Sequence, residues 1–197
     1  MKLNKSTLLA LSLLIIVSSL YRVWDGRPAA GFAPQMAMAL FAGVVIKNKR
    51  WALLLPLLSM FLSDVLYQIL YINGLSSIKG FYSGMWVTYS LIAGLTCFGF
   101  LMKKITVLNL LGFSLSGSIL YFIISNFLVW IGGGGYGRPL TFDGMLLCYE
   151  DALAFYRDYG LIKGFVGNLF IGDLFFIVVL FGSYFLLRRP VVRTSAA

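Results

Sequence analysis

The stretch RPAAGFAPQMAMALFAGVVIKNKRWALLLPLLSMFLSD, from Arg27 to Asp64, decides the fold of this chain. It predicts two apolar helices, at about 32–46 and 51–72, joined by a short basic turn at 47–50. Asp64 lies in the second helix, inside an otherwise apolar run. A charged residue within a membrane span usually faces a cavity or a charged partner. The stretch therefore predicts the inner wall of a membrane helix bundle, with Asp64 facing a pocket.

The composition of the whole chain supports a membrane class. Hydrophobic residues make up 60% of the 197 residues, charged residues 12%, and mean hydropathy is +0.90. Soluble domains are about half apolar and about one quarter charged. Because about 20 apolar residues span a bilayer core, we predict an all-α, six-transmembrane-helix bundle in one domain, 1–197. Its helices are expected at about 7–23, 32–46, 51–72, 84–102, 105–131 and 164–187.

The segment 132–163 is expected to be an external loop that carries a further helix. It opens with GGGGYGRP, which lacks the Lys-Ser/Thr pair of a phosphate-binding loop. Met145, Tyr149 and Leu153 then recur at helical spacing, opposite charged residues. This pattern predicts an amphipathic helix at the membrane surface or over the end of the bundle.

The basic residues fix an orientation for such a bundle. With six spans both termini lie on one side, and that side holds ten of the 16 Lys and Arg residues. Short loops rich in Lys and Arg are typically cytoplasmic. We therefore expect a protein of the bacterial inner membrane with cytoplasmic termini, and no nucleic-acid partner despite the net charge of +9. Cys97 and Cys148 are expected to be packing residues.

Polar residues are predicted to gather in the outer half of the bundle. Helix rise places Asp64 roughly 12 Å and Asp173 roughly 13 Å below the outer surface, so the two carboxylates share one level. A structural role for each, through helix caps or hydrogen bonds, is the alternative. As a ligand site, the group would comprise Asp64, Gln68, Asn126, Asn168, Asp173, Gln35 and Tyr89, with Trp24, Arg27, Trp130 and Tyr136 at the rim or on a lid loop.

The helix at 32–46 presents small residues at four-residue spacing, Ala33/Ala37 and Ala39/Gly43. Such pairs let another helix approach closely. Two interpretations are open: internal packing within this chain, or a docking face for a partner subunit.

Several motifs carry a resemblance to a known family. RPAAGFAPQMAMALFAG (Arg27–Gly43), LLPLLSMFLSD (Leu54–Asp64), SNFLVW (Ser125–Trp130), Cys148-Tyr149 and Gly172-Asp173 resemble an uncharacterised family of bacterial integral membrane proteins. That family is similar to the substrate-binding S components of energy-coupling-factor (ECF) vitamin transporters. The resemblance implies six helices, an externally open nutrient site, and a separate transmembrane scaffold with two ATPases. Small-residue pairs commonly lie on the first helix of S components, whereas here they lie on the second.

Three functional classes follow. The first is a substrate-binding membrane subunit for uptake of a vitamin or trace micronutrient, without a cofactor. The second is a non-transporting scaffold subunit of a cell-envelope assembly. The third, an enzyme, is not expected, because the sequence has no histidine and no recognisable nucleophile–base arrangement.

Overall fold

A computed structural model describes residues 5–26, 32–133, 137–158 and 168–188. The described residues form helices and no strands, which confirms the all-α prediction for this part of the chain. The seven helices are α1 (Lys5–Val23), α2 (Gln35–Val45), α3 (Lys49–Ile72), α4 (Met85–Gly99), α5 (Val107–Ile131), α6 (Phe142–Asp158) and α7 (Asn168–Arg188).

Two helix ends differ from the prediction by three residues. Helix α2 was expected to begin at 32 with Pro34 in its first turn, but Pro34 is the residue that precedes the helix. Helix α4 was expected to reach 102 and ends at Gly99. The amides of Phe100, Leu101 and Met102 each bond the carbonyl three residues back, so the chain leaves α4 through tight turns.

The start of α3 is fixed by a local cap. The Asn48 side chain accepts hydrogen bonds from the amides of Arg50 and Trp51, which satisfies two amides that a helix start leaves unpaired. The helix therefore begins at Lys49, two residues before the predicted start. The cap makes the connection from α2 to α3 a tight turn.

Helix α2 is the centre of the bundle. It contacts α3, α4, α5 and α7, and Ala37, Met38, Ala39 and Ala42 are at most 2% exposed. At Gly43 the backbones come so close that an added Cβ would lie 2.2 Å from the Thr96 carbonyl oxygen of α4. The small residues Ala37, Ala39 and Gly43 therefore pack inside this chain, which decides for the internal-packing interpretation of these positions.

The outside of the bundle is strongly apolar. Leu108, Val107 and Trp86 are more than 70% exposed, whereas Ser59, Ser63 and Thr96 are fully buried. Among the described residues, α3 and α5 are long and apolar enough to cross a membrane, which suggests membrane association. Helices α2 and α4 have 11 and 15 residues, or roughly 16 and 22 Å, less than the roughly 30 Å of a bilayer core.

Candidate functional site

The candidate site is built around a buried ion pair between α1 and α3. Arg22 Nη1 lies 2.5 Å from Asp64 Oδ1, and Tyr89 of α4 donates its hydroxyl to Asp64 Oδ2 at 2.7 Å. The side chain of Asp64 is 2% exposed and that of Arg22 is 19% exposed. Both carboxylate oxygens therefore have a hydrogen-bond donor, and the guanidinium keeps limited access to the surface. We call these three residues the Arg22 cluster.

Helical spacing brings the supporting groups to Arg22. Ser63 and Tyr67 flank Asp64 on the same side of α3, and Ser63 Oγ accepts from Arg22 Nη1 at 2.5 Å. The Tyr67 hydroxyl donates to the Arg22 carbonyl at 2.7 Å, and its ring centroid lies 5.5 Å from the guanidinium carbon. Arg22 also lies in the last turn of α1, where the helix dipole favours a cation. These contacts hold the guanidinium against α3.

The loop after α3 folds back onto the level of Asp64. Helix α3 continues eight residues beyond Asp64, roughly 12 Å, and the chain then returns along it. A Cβ on Gly80 would lie 1.8 Å from the Asp64 carbonyl oxygen, so only glycine permits this approach. The Gln68 side-chain oxygen accepts a hydrogen bond from the backbone amide of Phe81 at 3.2 Å. The loop 73–84 therefore covers α3 directly beside the Arg22 cluster.

Asp173 lies in a different polar cluster. It is buried in α7 and bonded to the Ser118 hydroxyl of α5. We predicted that Asp64 and Asp173 share one site. In the structure their hydrogen-bond partners lie on different helices: α1 and α4 for Asp64, and α5 for Asp173. Helix rise gives a depth but not the direction in which a side chain points, and that direction separates the two.

The other predicted residues are spread around the bundle. Gln35 donates to the Ser18 carbonyl at 3.2 Å, and Asn126 donates to the Phe122 carbonyl of its own helix at 2.7 Å. Trp130 donates to the Pro139 carbonyl at 2.9 Å. Trp24 is 57% exposed and packs edge-on against Tyr21. The predictions for Arg27, Tyr136 and the Asn168 side chain lie outside the described residues.

Sequence reasoning missed the cation of the cluster. The sequence pattern predicts no binding role for Arg22, Ser63 or Tyr67, because a basic residue at a helix end also suits an interfacial anchor. A buried carboxylate needs a partner, and Arg22 is the basic residue in the last turn of α1. That rule would have paired Arg22 with Asp64 from the sequence.

Helix α6 is fastened to the end of α5 by polar contacts. Arg138 makes two bonds to the Asp151 carboxylate, at 2.9 and 3.1 Å, and holds the pKa of Asp151 below its ordinary value of 3.8. The Tyr149 hydroxyl donates to the Ile123 carbonyl at 2.6 Å, and burial raises the pKa of this hydroxyl and of the Cys148 thiol. The Tyr149 bond therefore holds α6 against α5, and the Arg138 bonds hold the segment before α6 against α6.

Two cavities lie elsewhere in the bundle. One, of about 220 Å³, lies between α1 and α3, and the other, of about 170 Å³, lies between α4 and α5. Leucine, isoleucine and aromatic side chains provide most of their walls. They bring together few of the polar groups that give a ligand site its specificity. In the described ranges, no three Cys, Asp or Glu residues gather in a metal-binding group.

Comparison with known proteins gives one result. The model of a family of unknown function, DUF6580, matches residues 2–195. Neither the curated proteins nor the solved structures gave a match. The similarity to ECF S components therefore stays a hypothesis based on motifs. The match covers nearly the whole chain, so this protein belongs to the family of unknown function DUF6580.

Proposed function

We propose that this chain is the substrate-binding membrane subunit of an uptake system, which captures a small nutrient, a vitamin or trace micronutrient, from the outer face of the bacterial inner membrane. The Arg22 cluster is the polar floor of the binding site. The loop 73–84 forms one of its walls. The six-span topology and the cytoplasmic termini predicted from the sequence are part of this proposal.

The distribution of polar groups supports a membrane location. Water-soluble proteins rarely expose large continuous apolar patches, yet Leu9, Val17, Leu108 and Val178 on three helices are all more than 60% exposed. Polar side chains such as those of Ser59, Thr96, Asp64 and Asp173 are buried instead. An apolar exterior around a hydrogen-bonded polar interior suits a protein surrounded by lipid.

The Arg22–Asp64 ion pair is the observation that carries the proposal. An ionised pair inside a bundle is costly to bury, and ionisable groups at membrane depth usually serve a ligand or an ion. An arginine has five N–H donors, and the hydrogen bonds found within the described ranges use Nη1 alone. The remaining donors suit a nutrient that presents carboxylate or carbonyl oxygens from the outer side.

The energy for uptake would come from partner proteins. The sequence contains no recognisable ATP-binding motif, and its glycine-rich segment lacks the lysine of a phosphate loop. A transmembrane scaffold and ATPases of the ECF type are the proposed partners. The motif resemblance between residues 27 and 64 supports this choice.

The alternative is a non-transporting scaffold subunit of an envelope assembly. That hypothesis used the small residues of α2 as a docking face. Ala37, Ala39 and Gly43 are covered by neighbouring helices of the same chain, so a partner would need another surface. We therefore favour ligand binding.

Native mass spectrometry of the full-length protein, extracted gently from its own membrane, tests this proposal. We expect a bound small molecule of constant mass that is not a lipid, released on collisional activation. Stoichiometric envelope proteins without any bound small molecule would support the scaffold hypothesis instead.

A further inference from the structure

A small cavity lies deep in the bundle, where α2, α4, α5 and α7 meet. Its volume is about 10 Å³, and its polar lining consists of Asp173, Ser114 and Ser118, surrounded by apolar residues such as Ala37 and Leu95. A water molecule needs at least about 10–15 Å³. The cavity therefore has room for one small atom or ion, and a nutrient cannot enter it.

Ser118 cannot satisfy its two close oxygen neighbours at once. Its hydroxyl lies within hydrogen-bonding distance of the Ser114 carbonyl oxygen, at 3.0 Å, and of Asp173 Oδ2. A serine hydroxyl carries one hydrogen. If that hydrogen goes to the Ser114 carbonyl, two oxygen acceptors, Ser118 Oγ and Asp173 Oδ2, face each other. A positive charge is then required between or beside them.

At the cavity, the Ser114 hydroxyl lacks a hydrogen-bond partner and Asp173 lacks a charge partner within the described residues. Ser114 is 4% exposed, and its hydroxyl makes no hydrogen bond with any described residue. Asp173 is also 4% exposed, and the ion pairs found in the described ranges involve Asp64 and Asp151 instead. An isolated carboxylate in a protein interior is strongly unfavourable. The cavity is thus lined by a carboxylate without a positively charged partner and by a hydroxyl without a hydrogen-bond partner among the described residues.

We propose that this cavity is a binding site for one Na⁺ ion. The ligands are the Asp173 carboxylate and the hydroxyl oxygens of Ser118 and Ser114. The single positive charge of Na⁺ neutralises the single carboxylate, and a hard cation prefers oxygen ligands of this kind. This inference is independent of the nutrient site, because it concerns different residues on different helices.

Other occupants fit the site less well. A water molecule would leave the carboxylate uncompensated. A divalent ion would leave an excess positive charge, and Mg²⁺ keeps several of its waters, for which the cavity has no room. A proton would neutralise Asp173 but would leave the Ser114 hydroxyl without a partner.

Thermal unfolding of the full-length protein in lipid nanodiscs tests the site. Midpoints are compared in NaCl, KCl and choline chloride at equal ionic strength. Because its ligands join α5 to α7, Na⁺ at ten times its dissociation constant is expected to raise the midpoint by about 4 °C. Binding of ²²Na⁺ to the same sample is expected to saturate at one ion per chain.

Variants on α5 and α7 give the controls. Asp173→Asn should abolish ²²Na⁺ binding and the Na⁺-specific rise, and Ser114→Ala should weaken Na⁺ affinity about tenfold. Ser116→Ala, at an exposed position of the same helix, should behave like the natural protein. Equal midpoints in all three salts would show that a proton neutralises Asp173 and would overturn the proposal. Unchanged ²²Na⁺ binding in Ser114→Ala would remove this cavity as the site, even if Asp173→Asn does not fold.

Discussion

Arg22 and Asp64, 42 residues apart in the chain, form an ion pair whose nitrogen and oxygen atoms lie 2.5 Å apart. The pair joins the last turn of α1 to the middle of α3, and Tyr89 extends it to α4. The Asp64 carboxylate thus links three helices, α1, α3 and α4, through hydrogen bonds. The same contact holds α1 against α3 and leaves the guanidinium partly accessible.

The strength of this pair can be measured with a double-mutant cycle. Arg22→Gln leaves a buried carboxylate without its cation, and Asp64→Asn leaves the guanidinium without its anion. We expect each change to lower the free energy of unfolding by about 3 kcal/mol, and the double variant to lose about 2 kcal/mol less than the sum. Reversible unfolding in mixed detergent micelles gives these values. Additive losses would show that the two side chains do not interact.

The contact between α2 and α4 predicts a sharp difference between two glycines. Gly43→Ala places a Cβ 2.2 Å from the Thr96 carbonyl oxygen, so the two helices must separate. We expect a loss of about 2 kcal/mol in the free energy of unfolding. Gly94→Ala on α4 meets no heavy atom within 4 Å and should be neutral or stabilising by up to about 1 kcal/mol. Equal effects at both positions would contradict the close packing of α2.

The loop 73–84 should become easier to cleave when its anchor is removed. Gln68→Ala deletes the acceptor for the Phe81 amide. Because one hydrogen bond contributes about 1 kcal/mol, tryptic cleavage after Lys79 in proteoliposomes should accelerate about fivefold. Ser90→Ala, at an exposed position of α4, is the matched control. A cleavage rate in Gln68→Ala equal to that of the control would show that the loop is held by other contacts.

The contact between α6 and the segment that precedes it should depend on pH. The lowered pKa of Asp151 means that its bond to Arg138 contributes fully above the ordinary value of 3.8 and is lost as pH falls below it. Trp130 bonds the neighbouring Pro139 carbonyl. Its fluorescence, in a variant with the other tryptophans replaced by phenylalanine, should change only at pH below 3.8. Arg138→Gln should show the altered emission already at pH 7, and a transition at neutral pH in the natural sequence would contradict the assignment.

Sequence patterns gave the helical part of this fold with small errors. Apolar run length and turn residues predicted the ends of α1 to α5 within three residues, because both signals are local. The differences of three residues were at Pro34 and Gly99. There the outcome depended on how the chain leaves a helix, through a proline before the first turn or through three-residue turns after the last.

The site was harder to predict because it depends on the direction in which each side chain points from its helix. Asp64, Gln68 and Tyr89 were predicted from their polarity within apolar runs. The structure joins Tyr89 to Asp64 by a hydrogen bond, whereas the Gln68 side chain bonds the Phe81 amide. Arg22 was missed because a basic residue at a helix end also suits an interfacial anchor. Asp173 was grouped with Asp64 because both have similar depths, although they face different helices.

The most direct test of the central claim compares bound ligand in the natural protein and in Asp64→Asn by native mass spectrometry. Both proteins are extracted identically, and Ser116→Ala serves as a control for handling. We predict that the natural protein and Ser116→Ala carry the same small molecule, while Asp64→Asn inserts into the membrane and folds but loses it. Full retention of that molecule by Asp64→Asn would contradict a binding site at the Arg22 cluster.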